Sequence, residues 1–312
     1  MALLSLSLSA GRAAPVSHTA PASRWLQTQV LLDRAGFSPG EIDGAEGLNS
    51  RRALEAFQKA HPATAKARDQ NSLATAAGID PGDALTSYTI TAEDAAGPFI
   101  KSIPADMMEQ AQLPGLSYTS VLEKLGEKFH CAPRLLQRLN PKARFEAGEE
   151  IRVPNVLNAE NSKAESDHPN SEGTKGPVKI VVSKGNSSLT VYSEKGDAIF
   201  YAPVTSGSTH DPLPIGDWKI TTITRDPTFN YNPDLFWDAD PADAKAKIPA
   251  GPNNPVGVVW IGIDKPHYGI HGTPEPSEIG HSQSHGCVRL TNWDASIVAG
   301  MVRDGTPVVF ER

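Results

Sequence analysis

The chain has 312 residues, 39% hydrophobic and 21% charged, with 26 Gly, 26 Pro and a net charge of −7: a globular composition with room for several domains. With 36 Asp+Glu against 29 Lys+Arg, the driving force for binding a phosphate backbone is missing. No run reaches the roughly 18 apolar residues of a membrane-crossing helix, so nucleic-acid binders and integral membrane proteins are both set aside. Two cysteines, Cys131 and Cys287, are too few for a disulfide framework or a Cys-based zinc cage, so at least one invites a chemical explanation.

At the N-terminus, a short apolar run (Ala2 to Ala10) precedes the small residues Gly11 to Ala14. Residues 1–22 therefore read as an export signal without its usual basic start, followed by a linker. From Trp25 the pattern turns helical. Leu26, Val30 and Leu31 form one stripe, and Ala53, Leu54 and Phe57 form a second behind Asn49 and Ser50, which read as N-cap residues. The glycines between Gly40 and Gly47 suit a tight connecting loop. Ile42-Asp43-Gly44, Gly47 and the run Ser50 to Gln58 resemble the small helical peptidoglycan-binding domain that accompanies many cell-wall enzymes, and residues 23–67 are assigned to it.

Residues 68–115 carry no assigned role beyond one β-prone stretch, Ser87 to Thr91. Val121, Leu122, Leu125 and Phe129 then fall on one helical face, Leu135, Leu136 and Leu139 on another, and Glu150 to Pro154 is extended. Leu139-Asn140-Pro141, Gly148 and Ile151 to Pro154 resemble the second half of a LysM module, a glycan-gripping unit, here bounded at 116–156 with no evident opening strand. Cys131, beside His130, reads as a small core residue. Residues 157–176 are polar and read as linker.

Beyond them lie short β-prone runs at Val178–Val182, Ser188–Tyr192, Ala198–Val204, Trp218–Ile223, Val258–Ile263 and Pro307–Phe310, with one helix from Asn292 to about Val302. This predicts a mainly β domain over 177–312. Its chemistry centres on Ser284-His285-Gly286-Cys287-Val288-Arg289. A thiol attacks only as thiolate, and both a following helix and Arg289 favour negative charge on Cys287. Upstream, Tyr268-Gly269-Ile270-His271-Gly272-Thr273 can deliver His271 as a base.

Together, His271-Gly272-Thr273-Pro274 and Ser284 to Arg289 with Asn292 resemble the signature of the L,D-transpeptidase (YkuD) family. Leu213 to Trp218 and Ile248 to Gly257 extend the resemblance over 177–312, the latter run being similar to the periplasmic branch. The resemblance implies a β-sandwich-like catalytic domain without metal or other cofactor. Its Cys attacks the stem peptide of peptidoglycan between the third residue and D-Ala, and the resulting thioester passes to the amine of a neighbouring stem. It implies Cys287 as nucleophile, His271 as base held by the Gly272 carbonyl, and an oxyanion hole around Gly286 and Cys287. Ser284, His285 and Arg289 are the expected supports, and Tyr268, Thr273 and Asn292 the expected substrate contacts. It also implies an exported, periplasmic or wall-associated protein whose partners are stem peptides and glycan strands, inhibited by carbapenem-type β-lactams.

The loop from Asp226 to Ala250, with Tyr231, Trp237 and the four aspartates Asp234, Asp238, Asp240 and Asp243 beyond its first residue, is too long for a hairpin turn and is expected to act as a lid whose Tyr231 and Trp237 meet substrate. His281 is expected on the surface. Water or a protein lysine in place of the stem amine gives a carboxypeptidase or a lipoprotein-attaching enzyme from the same thioester. A wall-binding scaffold with an inert catalytic domain is the alternative of another class.

Overall fold

The computed structural model describes residues 22–156 and 176–312, apart from positions 68, 79 and 81. The export-signal and linker expectations lie outside the described residues. Helix α1 (Arg24–Arg34) begins where Ser23 accepts the Leu26 N–H at 3.1 Å. Helix α2 (Leu48–Ala60) follows Gly47, which offers no side-chain cap. Asn49 and Ser50 therefore lie inside its first turn rather than capping it, and their side chains serve other contacts: Ser50 Oγ accepts from Gln29 at 3.0 Å, and Asn49 Nδ2 donates to the Ile279 carbonyl at 2.8 Å. Helix α3 (Gln70–Ala77) runs past residue 67 and adds Leu73 and Ala74 to a core of Leu31, Leu32, Phe37, Ala53 and Phe57. Each large side chain of this kind stabilises the fold by about 1.5–3 kcal/mol when fully buried.

Strand β1 (Leu85–Thr89) pairs antiparallel with β2 (Glu150–Pro154), from Leu85 opposite Pro154 to Thr89 opposite Glu150. Helices α4 (Ala92–Ala95), α5 (Met107–Gln110), α6 (Val121–Lys128) and α7 (Pro133–Leu139) lie between them in the chain. The partner of β2 thus comes from the stretch given no role, upstream of residue 116. Leu125, Phe129, Cys131, Leu136, Ile151 and Val153 share the core beneath it.

The C-terminal part is mostly β: β3 (Val178–Ser183), β4 (Ser188–Ser193), β5 (Ala198–Pro203), β6 (Thr205–Ser206), β7 (Gly216–Arg225), β8 (Phe229–Tyr231), β9 (Ala246–Ile248), β10 (Val259–Ile263), β11 (Gly269–His271), β12 (Val288–Arg289) and β13 (Pro307–Glu311), with helix α8 (Asn292–Met301). Nine strands form one sheet in the order β5-β4-β3-β13-β7-β10-β11-β12-β6. The sheet divides into two halves that share β7: Gly216 to Lys219 pair with β13, and Ile220 to Arg225 with β10. Ile180, Leu189, Phe200, Ile261, Ile270, Val288, Val298 and Phe310 meet in one core, so both halves and α8 close on the same interior.

The loop after α1 joins all three units. Ser38 N donates to Tyr201 O at 2.8 Å and Tyr201 N to Gly36 O at 2.9 Å on β5, while Ile42 N donates to His130 O at 2.9 Å. The run Ile248 to Gly257 is a second junction, where Leu116 N reaches Ala250 O at 3.0 Å and Asn253 Nδ2 donates to Ser117 O and Glu123 Oε1 at 2.9 and 2.7 Å. The β8–β9 hairpin rests on the same segment, since Tyr231, Phe236 and Ile248 pack with Ile100, Met107, Leu113 and Leu116. Among the described residues no helix is long and apolar enough to cross a membrane.

Candidate active site

His271 ends β11, and Cys287 immediately precedes β12. The two strands run parallel, with Ile270 opposite Val288 and His271 opposite Arg289, and this pairing brings the two signature segments together. His271 is buried at 4% exposure, and its ring stacks on Trp260 at 5.5 Å and 19°. Its Nδ1 lies 2.7 Å from the Gly272 carbonyl oxygen. A carbonyl only accepts, so Nδ1 carries the proton and Nε2 keeps the lone pair a base needs. Burial, reinforced by the Arg289 charge, pushes His271 down to about 3 against the opposing pull of the Gly272 bond. The imidazole is therefore neutral at physiological pH.

Burial also raises the Cys287 thiol above its ordinary value, although the Gly269 amide and the Arg289 charge both pull it down. The expected push toward thiolate is thus overridden. The helix contributes little, because β12 separates Cys287 from α8 and a helix dipole acts within about its first turn. At rest the thiol faces the His267 carbonyl at 3.7 Å, from a residue held at φ 69°. A neutral thiol and a neutral imidazole suit proton transfer at the moment of attack, rather than a stored ion pair.

The supports divide by what their atoms touch. Ser284 is buried; its Oγ accepts the Gly207 N–H at 2.7 Å and donates to the Cys287 carbonyl at 2.6 Å, tying the Cys287 loop to the chain just beyond β6. Gly286 sits at φ +97°, where an added Cβ would lie 2.6 Å from the Tyr268 ring. Arg289 places its charge near Cys287 and Glu275. His285 turns away from this centre: its Nε2 meets Asp238 Oδ1 at 2.8 Å and its ring packs edge-on to Phe236 at 5.1 Å. It thereby fastens the β8–β9 hairpin beside the Cys287 loop.

Of the expected substrate contacts, Tyr268 packs against Gly286 with Lys265 Nζ 5.0 Å above its ring, and Thr273 is buried with its Oγ1 accepting the Glu275 N–H at 3.2 Å. Two of the expectations need correction. Asn292 is buried at 2% exposure, its amide committed to Val258 N, Pro252 O and Glu127, so it does not face substrate. Tyr231 is buried at 5%, its hydroxyl donating to Asp243 at 2.6 Å, and it forms the floor of the hairpin. Trp237 by contrast is 61% exposed, between His210 at 4.8 Å and His285 at 6.3 Å. His281 is exposed. Trp260, His267 and Asp238 were not singled out from sequence: the first reads as an ordinary strand residue, the second acts through its carbonyl, and the third was one aspartate of four. Among the described residues no group of three or more His, Cys, Asp or Glu is placed to hold a metal ion.

The mostly β domain thus sets a histidine at the end of one strand beside a cysteine that immediately precedes the neighbouring parallel strand. Residues 177–310 match the YkuD family, the L,D-transpeptidase catalytic domain, and this part of the chain is such a domain. The chain is 27% identical over 190 residues to a putative L,D-transpeptidase YkuD of Bacillus licheniformis, covering 60% of this chain and 91% of that protein. It is 32% identical over 135 residues to the probable L,D-transpeptidase YbiS of Escherichia coli, covering 42% and 44% respectively. A solved L,D-transpeptidase from Mycobacterium smegmatis overlaps 43% of this chain and 58% of its own at 19% identity and a TM-score of 0.36, too little to carry an argument.

Proposed function

We propose that the protein is a peptidoglycan L,D-transpeptidase working through a Cys287 thioester. The observation that carries this reading is the parallel β11–β12 pair, which places His271, with Nδ1 spent on Gly272, beside the segment that bears Cys287. Cys287 attacks the carbonyl of the third stem residue as its proton passes to His271 Nε2, forming the S–C bond. The C–N bond to D-Ala then breaks, and the His271 proton goes to the departing nitrogen. The amine of a third residue on a second stem attacks the thioester carbon and yields its proton to His271 Nε2; the C–S bond breaks as that proton passes to the departing sulfur, restoring the thiol and the neutral imidazole. Such proton transfers typically contribute about 10²- to 10⁴-fold. Amide N–H groups at Gly286 and Cys287 serve the oxyanion.

The helical unit and the β1–β2 unit act as peptidoglycan-binding and LysM-like modules, holding glycan strands near the site and raising the local substrate concentration. The pairing of β1 with β2 over a core shared with α6 and α7 supports the second assignment. The hairpin with exposed Trp237 and acidic Asp238 is the lid, and receives the cationic acceptor. The substrate places the protein outside the cytoplasmic membrane, and carbapenem-type β-lactams acylate Cys287. The test is to incubate the protein with a disaccharide tetrapeptide and analyse the products by mass, beside Cys287→Ala. A Cys287-dependent dimer lacking one D-Ala supports transpeptidation; tripeptide alone makes water the acceptor and the enzyme a carboxypeptidase; no product in either sample leaves a binding scaffold.

A further inference from the structure

Asn292, the first residue of α8, packs against Gly272, the residue that follows His271. Gly272 and Gly257 leave no room on either side of it: an added Cβ on Gly272 would lie 2.3 Å from Asn292 Oδ1, and one on Gly257 2.1 Å. The Gly272 carbonyl is the group that receives His271 Nδ1–H at 2.7 Å. How the Asn292 amide is oriented therefore bears on how the imidazole is held.

A primary amide can turn over and exchange its oxygen and nitrogen, and its partners decide which way it faces. Oδ1 accepts the Val258 N–H at 3.2 Å, while Nδ2 donates to the Pro252 carbonyl at 3.1 Å and to Glu127 Oε1 at 3.3 Å. The reversed orientation would set oxygen against the Pro252 carbonyl and nitrogen against the Val258 N–H. One of the two acceptors of Nδ2 is not part of the catalytic domain: Glu127 lies in α6, within the β1–β2 unit. Burial raises its carboxyl to about 8, with the Asn292 hydrogen bond and His130 opposing and Glu123 and Glu41 adding to the rise; in either protonation state it offers Asn292 an acceptor oxygen.

We propose that Glu127 is a positioning residue for the reaction at Cys287, supplied by the neighbouring unit: by fixing the Asn292 amide it holds the Gly272 carbonyl that keeps His271 in its Nδ1–H form. This rests on the Cys287–His271 reading above. The active site then extends across the domain junction, and a catalytic domain cut away from the β1–β2 unit lacks one of its supports.

The test uses the full chain with Glu127→Gln, Glu127→Ala and His271→Ala, alkylated by iodoacetamide across a pH series, with the adduct at Cys287 followed by peptide mass. Iodoacetamide needs no peptidoglycan, so the readout is independent of the acceptor. Glu127→Gln, which matches the uncharged acid in shape, retains most of the rate. Glu127→Ala slows alkylation about tenfold, short of the 10²-fold that a 1 Å misplacement can cost, and its pH profile moves toward that of His271→Ala without a lower melting temperature. Should the Ala variant not fold, Glu127→Met fills the space and carries the same expectation. A wild-type rate in Glu127→Ala or Glu127→Met, with His271→Ala slow, overturns this proposal alone. Equal losses in the Gln and Ala variants overturn it as well, since space or charge would then matter rather than the acceptor. A wild-type rate in His271→Ala removes the dyad itself.

Discussion

Replacing Gly286 by Ala perturbs the nucleophile loop in two ways that can be separated. The backbone there stands at φ +97°, which an L side chain tolerates poorly, at a cost of about 1–2 kcal/mol. The new Cβ would also lie 2.6 Å from Tyr268 Cε1, about 1 Å inside ordinary carbon–carbon contact, an overpacking cost of about 1–3 kcal/mol. The two together make about 2–5 kcal/mol, shared between lost stability and displacement of the adjoining Cys287. If the loop yields rather than the ring, the sulfur moves by a comparable distance, and a 1 Å misplacement can cost about 10²-fold in rate. Thermal unfolding and the rate of Cys287 acylation by a tetrapeptide donor, measured on Gly286→Ala and on the double variant Gly286→Ala/Tyr268→Ala, read both. Tyr268→Ala alone supplies the reference: with the ring gone the overlap disappears and the φ cost stays, so Gly286→Ala costs less stability in the Tyr268→Ala background than in the wild type. A Gly286→Ala variant with wild-type rate and melting temperature, or an equal cost in both backgrounds, refutes the reasoning.

Three further outcomes are expected. Burial raises Asp294 to about 7 and Glu127 to about 8, so the folded chain keeps protons the unfolded chain has lost above about pH 4. The stability they contribute is complete below that pH and lost as pH rises through 7 and 8; melting temperature therefore falls over that window, and Asp294→Asn flattens the fall, whereas an unchanged slope contradicts the assignment. Trp237→Ala, at a site 61% exposed, leaves folding and iodoacetamide alkylation unchanged while raising KM for the peptide about tenfold; an unchanged KM removes Trp237 from the substrate path. Ser284→Ala leaves the buried Gly207 N–H without its acceptor, at about 1–3 kcal/mol, which a melting curve detects.

Much of the catalytic domain is legible in the sequence because its long strands carry dense β-branched runs. Val178–Val182, Ser188–Tyr192 and Val258–Ile263 each become strands close to their expected bounds. The strands that build the site are harder to see: β11 is three residues and β12 two, too short for any periodicity, and only the chemistry of His271 and Cys287 marks them. Strand β1 is legible as the β-prone stretch Ser87 to Thr91, but its pairing is not, since its partner β2 lies far along the chain and nothing local announces it. Asn292 illustrates the limit of a motif. The residue is part of the signature, but whether it faces substrate or core depends on Gly257, Gly272 and Glu127, which come from three other places in the chain. Likewise the run Ile248 to Gly257 reads as a family mark, and the contacts of Asn253 with Ser117 and Glu123 give it a physical task in joining two units.

The central claim is that Cys287 carries the acyl group. Intact-mass analysis of the protein mixed with a disaccharide tetrapeptide, quenched in acid at short times, addresses it directly. The account predicts a single adduct of the donor less D-Ala, mapped to Cys287, absent from Cys287→Ala and slow to form in His271→Ala. An adduct that persists in Cys287→Ala, or product formation that continues without Cys287, contradicts it.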